Sequence, residues 1–197
     1  MTRLRWLFID QSGASAAEFA MVLPLLLILI FLSIDGGRYL YNVNRIEKAA
    51  QFGARFAVVT NPVASDLVGK NFVGQTVDGV KLTQGDRIPA DALPAFTCTR
   101  TTCTGGHTAD SDAFDLILAR MKLIMPELRS SDVTVGYEGS GLGFAGDPSG
   151  MQIAPFVTVT ISGPTWQPVS GFMFINAAYP AISTTLSAED SVGSQSF

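Results

Sequence analysis

The strongest constraint on this chain is an uncharged apolar run close to its N-terminus. Residues 19–34 read FAMVLPLLLILIFLSI and are bounded by Glu18 and Asp35. As a helix these sixteen residues extend about 24 Å. The small residues at 14–17 bring that length close to the ~30 Å hydrocarbon core of a bilayer. The sequence therefore predicts one membrane-spanning helix over residues 14–35.

A cleaved secretory signal is the alternative interpretation of this segment. Such a signal has basic residues first, then an apolar stretch, then a small-x-small cleavage site. Arg3 and Arg5 supply the basic start, but the small residues at 13–17 precede the apolar run instead of following it. This order favours an anchor that is retained. Two basic residues precede the run, whereas Arg38, Arg45, Lys48 and Arg55 follow it. A simple count under the positive-inside rule would therefore place the C-terminal side in the cytoplasm, but long domains translocate largely regardless of charge.

Composition limits the classes of function. Hydrophobic residues make up 47% of the chain and charged residues 15%, against about 25% charged in an average soluble domain. The formal net charge of −4 argues against a nucleic-acid partner, because phosphate binding needs an excess of Lys and Arg. One histidine, His107, excludes multi-His metal sites and most His-dependent catalysis. We therefore expect a membrane-associated protein that is not an enzyme and uses no cofactor or metal.

A short motif at the head of the apolar run points to a function. Residues 13–19 read GASAAEF and place Glu18 where the apolar run begins. A carboxylate at a membrane helix is costly unless it is paired. If the chain is cut after Gly13, the new ammonium of Ala14 lies one helical turn from Glu18 and can pair with it, within one chain or between subunits. The alternative is that Glu18 lies in the water interface, where it favours a helix N-terminus.

Residues 13–55 resemble the TadE family, the pilus-assembly pseudopilins of the tight-adherence (Flp, type IVb) system. The resemblance rests on the prepilin-like GASAAEF site, the AAEFAMVLPLLL stretch, the exit DGGR at 35–38 and the small-residue run at 49–55. It implies an inner-membrane protein whose leader is cytoplasmic and whose C-terminal domain is periplasmic. The implied partners are a prepilin peptidase, other pilins or pseudopilins, the tight-adherence secretion machinery and inner-membrane lipid.

The same resemblance implies the residues of a processing site. The peptidase would cut after Gly13, leaving Ala14 as the mature N-terminus, and Glu18 and Phe19 would belong to the recognised motif. The chain then divides into a cytoplasmic leader (1–13), a transmembrane helix (14–35), a juxtamembrane helix (36–60) and a periplasmic α+β domain (61–197).

The juxtamembrane helix carries a narrow stripe at three- and four-residue spacing, which is typical of helix packing. The stripe consists of Tyr39, Val43, Ile46, Ala50, Gly53 and Ala57. Its small residues allow a close neighbour, which is either the chain's own distal domain or another subunit of an assembly. Pro24 and the Gly36-Gly37 pair predict kinks, and Asn61-Pro62 predicts the helix end.

The distal domain shows weaker patterns, which together predict a small antiparallel sheet packed on one helix. A hairpin is expected at Asp78-Gly79 between short strands, and a helix from Asp112 to Met125, with Pro126 closing it. Strands are expected at 133–137, 157–161 and 182–186. The segment 172–178 is apolar enough for a buried helical turn or a surface against membrane or partner, and a frayed tail is expected at 187–197.

Cys98 and Cys103 enclose four residues, a spacing that suits a disulfide-closed loop in an oxidising compartment. Free thiols, or a metal site with His107 and Asp110 as further ligands, are the alternatives. The latter is disfavoured because the spacing is not that of a zinc finger.

Two further patterns have structural explanations. The glycines at 139, 141 and 143 do not lead into a helix that could bind phosphate. Asp110, Asp112 and Asp115 lack the ligand pattern of a calcium loop and suit helix capping.

Apart from a pilus pseudopilin, the remaining hypothesis is a single-span, membrane-anchored periplasmic binding or scaffold protein unrelated to pili.

Overall fold

The computed structural model describes residues 13–148, 150–169, 171 and 177–188. Within these ranges it contains two α-helices and eight short β-strands. In chain order they are α1 (Ala14–Ala57), β1 (Thr76–Val77), β2 (Val80–Lys81), β3 (Phe96–Cys98), α2 (Ser111–Lys122), β4 (Val133–Glu138), β5 (Phe156–Ile161), β6 (Thr165–Trp166), β7 (Ala177–Ala178) and β8 (Ile182–Ser187). Single 3-10 turns lie at Ser65–Leu67, Ala90–Ala92 and Ser130–Asp132.

The chain divides into two compact units. The first holds the N-terminal part of α1, up to Tyr41, together with the described residues 166–169, 171 and 177, and the second begins at Asn42 and holds the main sheet. Helix α1 is 44 residues long and continues through Pro24 and the Gly36-Gly37 pair; the kinks expected at these two positions stay predictions. The predicted elements at 1–12, 172–176 and 189–197 lie outside the described residues.

The core of the second unit is a four-stranded antiparallel sheet in the order β3-β4-β5-β8. Alternation along β4 and β5 puts one set of side chains on the buried face. These are Val133, Val135, Tyr137, Val157, Val159 and Ile161, each no more than 2% exposed. Threonines 134, 158 and 160 alternate with them and lie on the other face. The α+β class predicted from sequence is confirmed.

The C-terminal part of α1 belongs to this core. Ile46, Ala49, Ala50 and Ala54 are at most 1% exposed. At Gly53 a Cβ atom would lie 2.7 Å from the Sδ atom of Met121 and 3.3 Å from Cγ1 of Val159, so α1 touches both α2 and β5. The sheet thus packs on two helices and not on one, and the small residues at 49–57 face the chain's own domain.

Helix α2 begins earlier than its pattern predicted. Its N-cap is Asp110, whose Oδ1 atom accepts hydrogen bonds from the N–H groups of Asp112 (2.9 Å) and Ala113 (3.1 Å). These bonds satisfy donors that every helix leaves free at its start. The prediction that Asp112 begins the helix was therefore wrong by one residue, and the helix ends at Lys122 instead of Met125.

Candidate functional site

The predicted cleavage junction lies at the start of α1. Gly13 immediately precedes the helix and is exposed, and a Cβ atom built on it would have no heavy atom within 4 Å. Ala14 is the first α-helical residue and is also exposed. Among the described residues, nothing therefore blocks the approach of a protease to the peptide bond between Gly13 and Ala14.

Glu18 and Phe19 lie on the first turns of the same helix. Phe19 is 63% exposed, and the Glu18 side chain is exposed as well. Among the described residues Glu18 has no hydrogen bond or ion pair, so its carboxylate is available for a partner that the described chain does not supply. Helical geometry places Glu18 one turn beyond Ala14, which is the spacing on which the pairing hypothesis depends.

The part of α1 that follows this motif is long and apolar enough to cross a membrane. Its most hydrophobic 18-residue window has a mean hydropathy of 2.5 and contains no buried residue. An unburied apolar helix of this kind is unfavourable in water at about 25 cal/mol per Å² of apolar surface, so it needs a nonpolar environment. The exposed large side chains are Phe19, Met21, Val22, Leu25, Leu26, Leu27, Leu29, Ile30, Leu32 and Ile34.

A buried carboxylate marks the end of the apolar run. Asp35 is only 2% exposed, and its Oδ1 atom accepts a 2.7 Å hydrogen bond from the backbone N–H of Val169. The guanidinium of Arg38 lies 3.9 Å from the same oxygen. One turn further along α1, the ring of Tyr39 meets that of Trp166 edge-on at 5.6 Å. Residues 166–169 therefore pack on α1 just past the apolar run. The sequence did not predict this contact, because the hydrogen bond joins residues that are 134 positions apart.

Within the second unit, two polar contacts position the C-terminal part of α1 and the residues that follow it. The guanidinium of Arg45 makes paired hydrogen bonds of 2.9 and 3.1 Å to the carboxylate of Glu127, and a third to the Ile124 carbonyl. Just past the helix end, the N–H of Val63 donates a 2.8 Å bond to the hydroxyl of Tyr137. Burial raises the pKa of that hydroxyl above its usual range, because the phenolate would lack solvation. Polar bonds therefore lie near both ends of the segment of α1 that packs on the sheet and α2.

The predicted disulfide between Cys98 and Cys103 is present. Arg100, inside the closed loop, makes two 2.8 Å hydrogen bonds to the carboxylate of Asp115 on α2. These bonds lower the pKa of that carboxyl group. Asp115 therefore ties the loop to α2, a role that the capping interpretation of this residue missed.

The side chain of His107 contacts Phe96 and Asp66. Its ring stacks on Phe96 at 3.7 Å, and Nδ1 lies 2.7 Å from the carboxylate of Asp66. Burial alone would raise the pKa of Asp66, but hydrogen bonds from His107 and from the N–H of Thr108 outweigh it and hold that pKa below its usual value.

The four side chains of the alternative metal site that the sequence offered all have other partners. The two cysteines are bonded to each other, Asp110 caps α2, and His107 pairs with Asp66. Over the part of the chain that the structure describes, no group of three or more His, Cys, Asp and Glu side chains is arranged to hold a metal ion.

The glycine-rich loop is packed against its neighbours. A Cβ atom on Gly139 would overlap the carbonyl of Ala90, and one on Gly143 would overlap the backbone of Gln152. Gly143 also has a positive φ of 116°, which favours glycine. Close backbone approach therefore explains these two glycines.

Comparison with known proteins bears on the N-terminal segment. The family model TadE, described as TadE-like protein, matches residues 13–55. This range starts at the junction glycine and runs through the apolar helix into the stripe that contacts α2 and the sheet. No curated protein and no solved structure matches the chain. Over residues 13–55, this chain is similar to the TadE-like family.

Proposed function

We propose that the protein is a processed pseudopilin or minor pilin that takes part in assembly of a tight-adherence (Flp, type IVb) pilus. A prepilin peptidase removes residues 1–13, and Ala14 becomes the mature N-terminus. The observation that carries the proposal is the family match beginning at Gly13, a glycine that is exposed and directly precedes an apolar helix.

The proposal assigns each part of the chain a compartment. The leader (1–13) is cytoplasmic, residues 14–35 span the inner membrane, residues 36–60 continue the helix outside it, and residues 61–197 form the periplasmic domain. The disulfide supports this placement of the domain, since such bonds persist mainly in oxidising compartments.

Glu18 has a stated task in this proposal. Cleavage creates an ammonium at Ala14, one helical turn away, and a charge pair in a nonpolar surrounding is far less costly than a single carboxylate. The pair forms within one chain or with the next subunit, where it registers one helix against another. The absence of a partner for Glu18 among the described residues fits this role.

Cleavage can be tested with a series of substitutions at one position. The full chain is co-expressed with an active prepilin peptidase, and processing is followed by the size shift of the chain. We expect Gly13→Ala to be cut more than Gly13→Leu, because a bulky side chain obstructs the scissile bond. The control is an inactive peptidase, with which no variant should be shortened. Equal cleavage of Gly13→Leu and the unaltered chain would contradict the steric argument.

The alternative function, a tethered periplasmic binding or scaffold protein, makes the opposite prediction for Glu18. If only anchoring matters, Glu18→Ala and replacement of residues 1–34 by a generic anchor should leave function intact. If the protein assembles through this helix, Glu18→Ala abolishes pilus formation. Glu47→Ala is the matched control, since Glu47 is another exposed glutamate of α1 and has no role in the junction.

A further inference from the structure

The two edge strands of the main sheet, β3 and β8, differ in the backbone hydrogen bonds on their outer sides. Along β3, the outer side is occupied by residues 102–104, which fold back through the disulfide loop. The N–H of Thr104 donates to the carbonyl of Thr97 (2.9 Å), and the N–H of Thr99 donates to the carbonyl of Thr102 (2.7 Å). This edge is therefore closed by the chain itself.

The opposite edge is β8. It pairs with β5 on one side, and among the described residues no backbone hydrogen bond leaves its other side. The register shows which groups point outward. Ala188 donates its N–H to the carbonyl of Pro155, one step beyond the pair Phe156 and Ser187. Because antiparallel pairs alternate between bonded and non-bonded, the even-numbered residues of β8 bond to β5, and the N–H and C=O groups of Ser183, Thr185 and Ser187 face outward.

Strand β8 also lacks the features that normally protect an edge. Its sequence, ISTTLS, contains no charge and no proline, whereas natural edges are commonly blocked by lysine, proline or a bulge. Its six residues are as long as either central strand. Ser183 and Thr185 are exposed on the hydroxyl-bearing face of the sheet.

We propose that β8 pairs antiparallel with β8 of a second copy of this chain, in the register that places Thr185 opposite its own equivalent. A two-fold axis relates the copies, since such an interface uses the same patch twice. Ser183 of one copy then lies opposite Ser187 of the other, so outward backbone groups meet outward groups. The facing side chains are all hydroxyls, which form favourable cross-strand pairs. An uncharged strand meets no repulsion from an identical strand.

Charge elsewhere on the domain gives this association a recognisable salt dependence. Residues 61–197 contain 7 basic and 13 acidic residues. Two such domains repel one another at low ionic strength, and salt screens that repulsion. The dimer is therefore expected to strengthen, and not to weaken, as salt is added.

Cysteine crosslinking of the full, unprocessed chain in detergent micelles tests the pairing independently of the processing proposal. The native cysteines are joined to each other, so an introduced cysteine is the only free thiol. We expect Thr185→Cys to give a disulfide-linked dimer as its main product under mild oxidation. Thr158→Cys is the control, because Thr158 is on the same face opposite Thr185 but one strand further from the edge. Its two copies would be too far apart for a disulfide.

Hydrogen bonding at the edge is tested by a second pair of variants. Thr185→Pro removes an outward N–H and should give a monomer in sedimentation experiments, whereas Thr185→Val keeps the N–H and should stay dimeric. A monomeric unaltered chain, or equal crosslinking at 158 and 185, would overturn the proposal. Dimers that appear only after removal of residues 189–197 would overturn it too, since the chain's own C-terminus would then cover the edge.

Discussion

The hydrogen bond between Val63 and Tyr137 is a sharp test of how α1 is joined to the folded domain. Val63 is 0% and Tyr137 2% exposed, and the N–H of Val63 donates to the tyrosine hydroxyl at 2.8 Å. The substitution Tyr137→Phe keeps the ring but removes the acceptor. A buried donor left without a partner costs about 1–3 kcal/mol. We expect Tyr137→Phe to lower the free energy of unfolding by that amount.

The measurement is urea unfolding of the full chain in a mild non-ionic detergent, followed by circular dichroism. Thr134→Val serves as the control, because Thr134 lies on the same strand as Tyr137 and its hydroxyl makes no hydrogen bond among the described residues. It should change the free energy of unfolding by less than about 0.5 kcal/mol. If Tyr137→Phe is no more destabilising than Thr134→Val, the hydrogen bond does not hold the residues after α1 on the sheet.

Three other predictions follow from the same unit. Gly53→Leu should lower the free energy of unfolding by about 1–3 kcal/mol, because the added side chain overlaps Met121. Urea unfolding measures this, and unchanged stability would contradict the close contact of α1 and α2. Reducing the disulfide between Cys98 and Cys103 should cost about 2 kcal/mol, since the closed loop is short; thermal unfolding with and without reductant measures this, and no shift would contradict it. Burial raises the pKa of Tyr137 in the folded state, while an unfolded tyrosine ionises near pH ~10. Stability should therefore be intact below that pH and fall as pH rises above it, and a flat pH profile for the unaltered chain would contradict burial of the hydroxyl.

Local patterns predicted much of the fold. The Asp78-Gly79 turn is confirmed, with φ values of 51° and 79° that fit a tight hairpin. Strands β4, β5 and β8 follow from alternating β-branched residues, and the apolar face of α2 from its helical spacing. These elements were predictable because the signal lies within a few consecutive residues.

Contacts between distant residues were not predictable in the same way. Strand β3 is only three residues long, and it is a strand because Phe96 and Cys98 pair with Tyr137 and Val135 of β4. The buried carboxylate of Asp35 likewise depends on a backbone group far along the chain. Such contacts are set by tertiary packing, for which the flanking residues carry no pattern.

Small residues were informative but ambiguous. Ala49, Ala50 and Gly53 indicated a close neighbour, which the structure identifies as the chain's own α2 and β5 at Gly53. The same composition would suit a contact between subunits. The N-terminal half of α1 is apolar and unburied, which fits a single-pass membrane anchor.

The N-terminal residue of the protein isolated from cells is the decisive measurement for the proposed processing. Intact-mass and N-terminal peptide analysis should be made on protein from cells that contain an active prepilin peptidase. We expect a chain that lacks Met1–Gly13 and begins at Ala14. A chain that keeps residues 1–13 in those cells, while supporting pilus formation, would contradict the proposed processing.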